Sequence, residues 1–180
     1  MNLSLEQLFK TKFPTSYEYS LKASHFIPGG VTHEGRFLRP FPLYLDRGLG
    51  SKKWDVDDNQ FIDYWMGHGA LLLGHSHPAV LSAVKQQIEK GTHLGGCHKL
   101  EIDWAEQVCR LVPCAERVRF FSSGTEATLM AFRLARSYTR KNKIIKFQGH
   151  FHGWHDYVTI GISPPFHIPV SPGIPAETLQ

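Results

Sequence analysis

Residues 122–127 read Ser-Ser-Gly-Thr-Glu-Ala, between the apolar run Val118-Arg119-Phe120-Phe121 and a strongly helical stretch. A tight turn of small residues between a strand and a helix leaves backbone N–H groups pointing outward, at the positive end of the helix dipole. That is a seat for a phosphate. The same residues fit a capping box, in which Ser123 caps the helix and Glu126 reaches back to the Ser123 backbone N–H. The two readings are compatible. A P-loop is excluded, because no Gly-x4-Gly-Lys-Ser/Thr occurs, and so is a dinucleotide fingerprint after a strand. About two dozen residues downstream, Gly149-His150-Phe151-His152-Gly153-Trp154-His155 follows a second apolar run. The two segments together point to a phosphorylated aromatic cofactor, with its phosphate on Ser123, Gly124 and Thr125 and its ring against Phe151.

Eleven histidines raise a metal alternative. His75-x-His77 and His150-x-His152-x-x-His155 are the tightest clusters. Alternate strand residues face one side, so His150 and His152 could share an ion. No carboxylate-rich segment adjoins them, which favours loop histidines bonded to backbone, and no metal is assigned.

The elements that must position these residues fall in two styles. Residues 1–25 read as a helical lead-in, followed by a Pro28-Gly29-Gly30 turn and an extended arm over 37–42. Leu43-Tyr44-Leu45, Lys52-Lys53-Trp54-Asp55 and Phe61-Ile62-Asp63-Tyr64 read as a small antiparallel meander, with Gly48-Leu49-Gly50 and Asp57-Asp58-Asn59 as its turns. A Gly67-His68-Gly69 loop follows. Helices are expected over Pro78–Lys90 and Glu101–Val112, with apolar stripes of Val80, Val84, Ile88 and of Ile102, Ala105, Val108, Val112. Strands at 117–121, 143–147 and 157–160 around a helix at 125–138 make a βαβ rhythm, hence a parallel sheet. The proline-rich tail from Ser163 reads as loop, so that sheet looks unfinished. The expected organisation is therefore α/β, with residues 1–66 as an N-terminal segment and small sheet and residues 67–180 as the first part of a larger, truncated domain.

Bulk properties bound the function class. A chain of 180 residues, 42% hydrophobic and 20% charged, is typical of a soluble globular protein. The net charge of +4 is scattered, and no basic run exceeds two residues, which argues against a nucleic-acid partner. Three cysteines form no paired framework and suit a cytoplasmic setting. No signal peptide is read at the N-terminus, and the aliphatic run Ala70-Leu71-Leu72-Leu73 is too short for a membrane partner.

The chain resembles the class III (subgroup II) aminotransferases of the pyridoxal phosphate fold-type I superfamily, on the side of the glutamate-1-semialdehyde 2,1-aminomutases. The likeness runs through Pro28-Gly29-Gly30-Val31, Trp54-Asp55-Val56-Asp57-Asp58-Asn59, Ile62-Asp63-Tyr64, Leu73-Gly74-His75-Ser76-His77-Pro78, Ser123-Gly124-Thr125-Glu126-Ala127 and Lys143-Ile144-Ile145-Lys146-Phe147. It implies a fold-type I architecture, pyridoxal 5'-phosphate as cofactor, and an amino-acid or amine substrate whose amino group is transferred or migrates. Ser123, Gly124 and Thr125 would hold the phosphate. Phe151 stands where the family usually has a stacking Tyr, and stacking needs only the ring face. Arg36 matches an arginine beside the substrate carboxylate, a bidentate clamp suited to guanidinium. His68 stands where aminomutases tend to carry a substrate-side Trp, and Thr32-His33-Glu34 replaces the usual Asn-Ser-Pro. Both departures fall on the substrate side. The Schiff-base lysine and the acidic partner of the pyridine nitrogen are expected beyond Gln180, so no catalytic residue is assigned within the chain. The resemblance also implies a homodimer with a shared active site. The alternative is a non-catalytic module that binds a phosphorylated ligand or dimerises.

Overall fold

The computed structural model describes residues 3–179. The chain forms two compact units, divided between Gly95 and Gly96. In the first, helices α1 (Leu5–Lys12) and α2 (Pro14–Ser24) precede strands β1 (Leu45–Leu49), β2 (Lys52–Asp55) and β3 (Gln60–Ile62), and helix α3 (Pro78–Ile88) follows. The second holds helices α4 (Lys99–Leu111) and α5 (Gly124–Thr139), with extended chain and short 3-10 turns.

The helical lead-in is two helices. Ser4 and Gln7 close a capping box at the start of α1. Pro14, which has no N–H to donate, breaks the run and opens α2. Phe13, at that break, is buried against Phe9, 4.7 Å away between ring centroids, and Phe41 lies 4.9 Å from Phe9. These aromatics form the core of the first unit. Helix α2 has no side-chain cap of its own. The Asp57 carboxylate, in the turn between β2 and β3, accepts hydrogen bonds from the N–H groups of Thr15 and Ser16 instead.

The three strands pair antiparallel in the order β1-β2-β3, as the meander reading expects. β1 begins later than expected: it takes in Gly48-Leu49, and the turn falls at Gly50-Ser51. The turn from β2 to β3 is organised by Asp55, whose Oδ1 accepts from the N–H groups of Asp57 and Asn59. Asp58 there takes a positive φ of 61°.

From β3 the chain doubles back over the sheet. Asp63 is buried. Its carboxylate lies 2.7 Å from His75 Nε2 and accepts from Lys53 Nζ at 3.1 Å and from the Trp65 N–H at 2.9 Å. His75 also pairs its backbone with Gly50. A Cβ at Gly48 would stand 2.6 Å from the His75 ring, so glycine there lets the loop lie down on β1. This staple carries residues 63–77 with the N-terminal unit.

The helices of the second unit form where periodicity places them, but the expected strands do not. Residues 117–121 and 143–147 run without a ladder partner among the described residues, and 157–160 holds a 3-10 turn (Asp156–Val158) followed by a single bridge from Ile160 to Pro169. Parallel strands need partners that are distant in sequence, so apolar runs and helix spacing mark the segments without supplying the ladder. The stripe residues Val80, Val84 and Ile88 of α3 are exposed.

Candidate functional site

Helix α5 starts where the sequence expects it to. Ser123 is its N-cap, with extended φ and ψ of −148° and 158°, and its Oγ accepts from the Glu126 N–H. The capping box, however, closes differently. Glu126 Oε2 accepts from the Ser123 hydroxyl, 3.1 Å away, rather than from the Ser123 backbone N–H. The hydroxyl proton is therefore spent on Glu126, whereas the backbone N–H stays open. Ala127 donates to Ser123 O. The N–H groups of Ser123, Gly124 and Thr125 have no acceptor among the described residues. Three outward N–H groups at a helix N-terminus suit an anion. A Cβ at Gly124 would meet nothing within 4 Å, so the approach is open.

Residues 152–157 lie along one face of this helix. Thr125 Oγ1 accepts from the Trp154 N–H at 3.3 Å, leaving its own proton available. Gly153, at φ +121°, comes so close that a Cβ would stand 2.9 Å from Thr125 Cα. One turn on, Thr128 Oγ1 lies 2.8 Å from His152 O and 3.2 Å from His155 Nε2. The His155 ring meets Phe132 edge-on at 5.4 Å, and the Arg136 guanidinium lies 4.4 Å over the Tyr157 ring. Thr128, Phe132 and Arg136 are four residues apart and share a face. The ring of Phe151 is half exposed and touches Trp154 in an edge contact at 5.6 Å. The structure thus brings the Ser123–Thr125 turn and the 152–157 segment together.

Of the histidines of that segment, His150 is exposed and His152 and His155 are partly buried. Burial holds the His155 imidazole below its ordinary pKa; Asp156 opposes the shift and Arg136 adds to it. His150 and His152 stand 5.9 Å apart between ring centroids. Lys146 donates to Val158 O at 2.7 Å and Ile160 O at 2.6 Å, and burial lowers its pKa. Its ammonium is committed to backbone, and it pins 143–147 beside 158–160.

The expected substrate residues lie in the other unit. Arg36 ends a 3-10 turn (Glu34–Arg36), and its Nη1 donates to Thr32 Oγ1 at 3.1 Å. His33 caps that turn by accepting from the Gly35 N–H. His68 sits in a run of four left-handed residues, Met66 to Gly69, with φ of 45°, 61°, 59° and 82°. Its ring contacts Trp65 at 4.9 Å and His33 at 5.9 Å. The two departures from the aminomutase pattern therefore touch each other. The sequence singles out neither Asp63 nor Thr128 as a site residue, and His155 only within the histidine cluster weighed as a metal alternative. The one available signal for the last two was Thr128 and His155 flanking the motif residues.

Residues 35–167 match the family described as aminotransferase class-III. The chain is 45% identical over 166 residues to a glutamate-1-semialdehyde 2,1-aminomutase of Methanothermobacter thermautotrophicus, covering 92% of this chain and 40% of that protein. Among solved structures, a transaminase with PLP bound superposes with a TM-score of 0.88 at 32% identity, over 93% of this chain and 40% of its own. An omega-transaminase from Sphaerobacter thermophilus gives a TM-score of 0.85 at 31% identity, over 91% of this chain and 40% of its own. The chain thus spans about 40% of the length of the proteins it matches. With the fold and the sequence in agreement, the chain belongs to the class-III aminotransferase family.

Proposed function

We propose that these residues are part of a pyridoxal-phosphate-dependent enzyme that transfers an amino group, or moves it within an amino-acid-type substrate. The observation that carries this reading is the set of three open N–H groups on Ser123, Gly124 and Thr125, with the segment that carries Phe151 bonded to Thr125 through the Trp154 N–H. The residues fit the cofactor. The three N–H groups and the free Thr125 proton would bind the phosphate, favoured by the α5 dipole. The Phe151 ring would cover one face of the pyridine and keep water from it. When bound, pyridoxal phosphate supplies an aldehyde that takes up an amine and a ring that withdraws electrons from the adjacent carbon. Arg36 would orient a substrate carboxylate through the guanidinium donors that Thr32 leaves free, and His68 would line the same side.

We assign the reactive lysine and the acidic partner of the ring nitrogen to sequence beyond Gln180. Residues 1–66 then form an N-terminal segment with the small sheet, and residues 67–180 open the cofactor-binding domain, within a homodimer that shares its active site. The 180-residue chain alone would be inactive. The test is to add pyridoxal phosphate to the full-length protein and then an amino-acid donor with a 2-oxo acid acceptor. Binding with a new visible absorption band, followed by amine exchange or internal amine migration, is the expected result. A protein that binds phosphorylated ligands but moves no amine would leave the binding-module alternative instead.

A further inference from the structure

The contacts along α5 carry more than attachment. Thr128 Oγ1 lies 2.8 Å from His152 O, 3.0 Å from each of Gly124 O and Thr125 O, and 3.2 Å from His155 Nε2. A hydroxyl has one proton and can accept as well. Donation to Gly124 O or Thr125 O would be a bond inside the helix and would position nothing. The shortest contact, to His152 O, crosses to the other segment. The remaining lone pair then faces His155 Nε2, which must donate, so the imidazole carries its proton on Nε2. His155 Nδ1 is buried without a partner, which suits an unprotonated nitrogen. The ring is edge-on to Phe132 at 5.4 Å and near Tyr157 at 6.0 Å.

We propose that Thr128 and His155 are positioning residues that fix the distance and tilt between the phosphate seat at the start of α5 and the ring of Phe151. The inference rests on the cofactor reading above. Neither residue belongs to the seat itself; their hydrogen bonds and ring contacts are to protein groups. Thr128 is one turn past the seat, and His152 and His155 bracket Gly153, the point of closest approach to Thr125. Without the latch the seat survives, but the aromatic segment is held to α5 by the Trp154 N–H bond, ring packing and the Arg136 guanidinium over Tyr157, none of which fixes the 152–155 turn directly beside Thr128. A ligand that needs both ends, the phosphate and the ring, should then suffer more than one that uses the seat alone.

The experiment uses full-length protein, pyridoxal phosphate, and inorganic phosphate as a probe of the seat. Thr128→Val keeps the shape and removes the hydroxyl, while Thr128→Ser keeps the hydroxyl. The expected result for Thr128→Val is a loss of pyridoxal phosphate affinity of about tenfold or more, with altered visible circular dichroism of the bound cofactor. Inorganic phosphate should compete within about twofold of wild type, since the seat itself is intact. Thr128→Ser should restore both affinity and dichroism. His155→Phe against His155→Gln gives an independent pair, because the glutamine amide can still donate, and it decides the matter if Thr128→Val does not fold. Unchanged affinity and dichroism in Thr128→Val and His155→Phe would overturn the proposal. So would a parallel loss of phosphate and cofactor, which marks general loosening. A wild-type protein that does not bind pyridoxal phosphate at all would instead remove the function proposed above, and the latch with it.

Discussion

At the scale of single residues, the legible part of the site is the part written in adjacent positions. Ser123, Gly124 and Thr125 could be read because a helix start is local, and Phe151 because it sits in a dense aromatic segment. Asp63 and His155 could not, because their partners lie 12 and 27 residues away. Asp63 shows what such a partnership does. The His75 ring holds its carboxyl well below the ordinary range; burial opposes this, and the Trp65 N–H, Lys53 and Met66 N–H reinforce it. A carboxyl whose pKa is lower folded than unfolded stabilises the fold above the unfolded value, near 3.9. That contribution drains away as pH falls through the folded value. Asp63→Asn should therefore cost about 2 kcal/mol at pH 7, in line with lost hydrogen bonds to a charged group. The gap to wild type should narrow below about pH 4. Thermal unfolding of both proteins at pH 7 and pH 3 measures it, and a gap that is equal at the two values would contradict the assignment. Gly153 makes a second residue-scale case. At φ +121° with Thr125 Cα 2.9 Å from any Cβ, it has backbone, not a flexible side chain, in the way. Gly153→Ala should cost on the order of 1–3 kcal/mol and weaken pyridoxal phosphate binding. Titration of the cofactor into both proteins checks this.

Among the elements, helices were legible and the large sheet was not, for one physical reason. A helix satisfies its backbone within itself, so periodicity, Pro78 and Ser123 suffice to place α3 and α5 to within a few residues, whereas the break at Pro14 falls inside what reads as one helical lead-in. A strand is completed by its neighbour. The meander could be read because its strands are joined by short turns, whereas 117–121 and 143–147 need partners the local sequence does not name. Even a helix borrows at its ends. Nothing in the α2 sequence caps it; the cap arrives from Asp57, 41 and 42 residues away. Burial opposes ionisation of Asp57, but its bonds to Thr15 and Ser16 prevail and hold its pKa below the ordinary carboxylate range. Asp57→Ala removes that cap and should cost about 1 kcal/mol, the usual worth of a helix N-cap. It would lower the melting temperature without altering pyridoxal phosphate affinity, because it lies in the other unit from the seat. A change in cofactor affinity equal to that of Gly153→Ala would contradict this separation.

For the molecule as a whole, surface area decides what the apolar faces are for. The chain presents 14808 Å² to solvent. Two compact globules of half its mass would expose roughly 10,600 Å² between them. The excess of roughly 4,000 Å² is the size of an obligate interface, not of ordinary surface roughness. It is also apolar in the right places: Val80, Val84 and Ile88 on α3, Ile102 on α4, and Ile145 and Phe147 beside the unpaired segment 143–147 are all exposed. No helix among the described residues is long and apolar enough to cross a membrane, so lipid-spanning helices do not account for these faces. The expected parallel sheet, if further chain completes it, would account for them. It would pair 117–121 and 143–147 and bury the helical stripes on both faces, as parallel sheets require. The 180-residue polypeptide expressed alone should therefore bind an apolar dye such as anilinonaphthalene sulfonate strongly and associate as its concentration rises. The full-length protein should do neither and should sediment as one species. Both are read by dye fluorescence and analytical ultracentrifugation on matched molar samples. If the short polypeptide were dye-silent and monomeric at all concentrations, its exposed faces would not be waiting for cover, and the assignment of these residues to part of a larger cofactor-binding domain would fail.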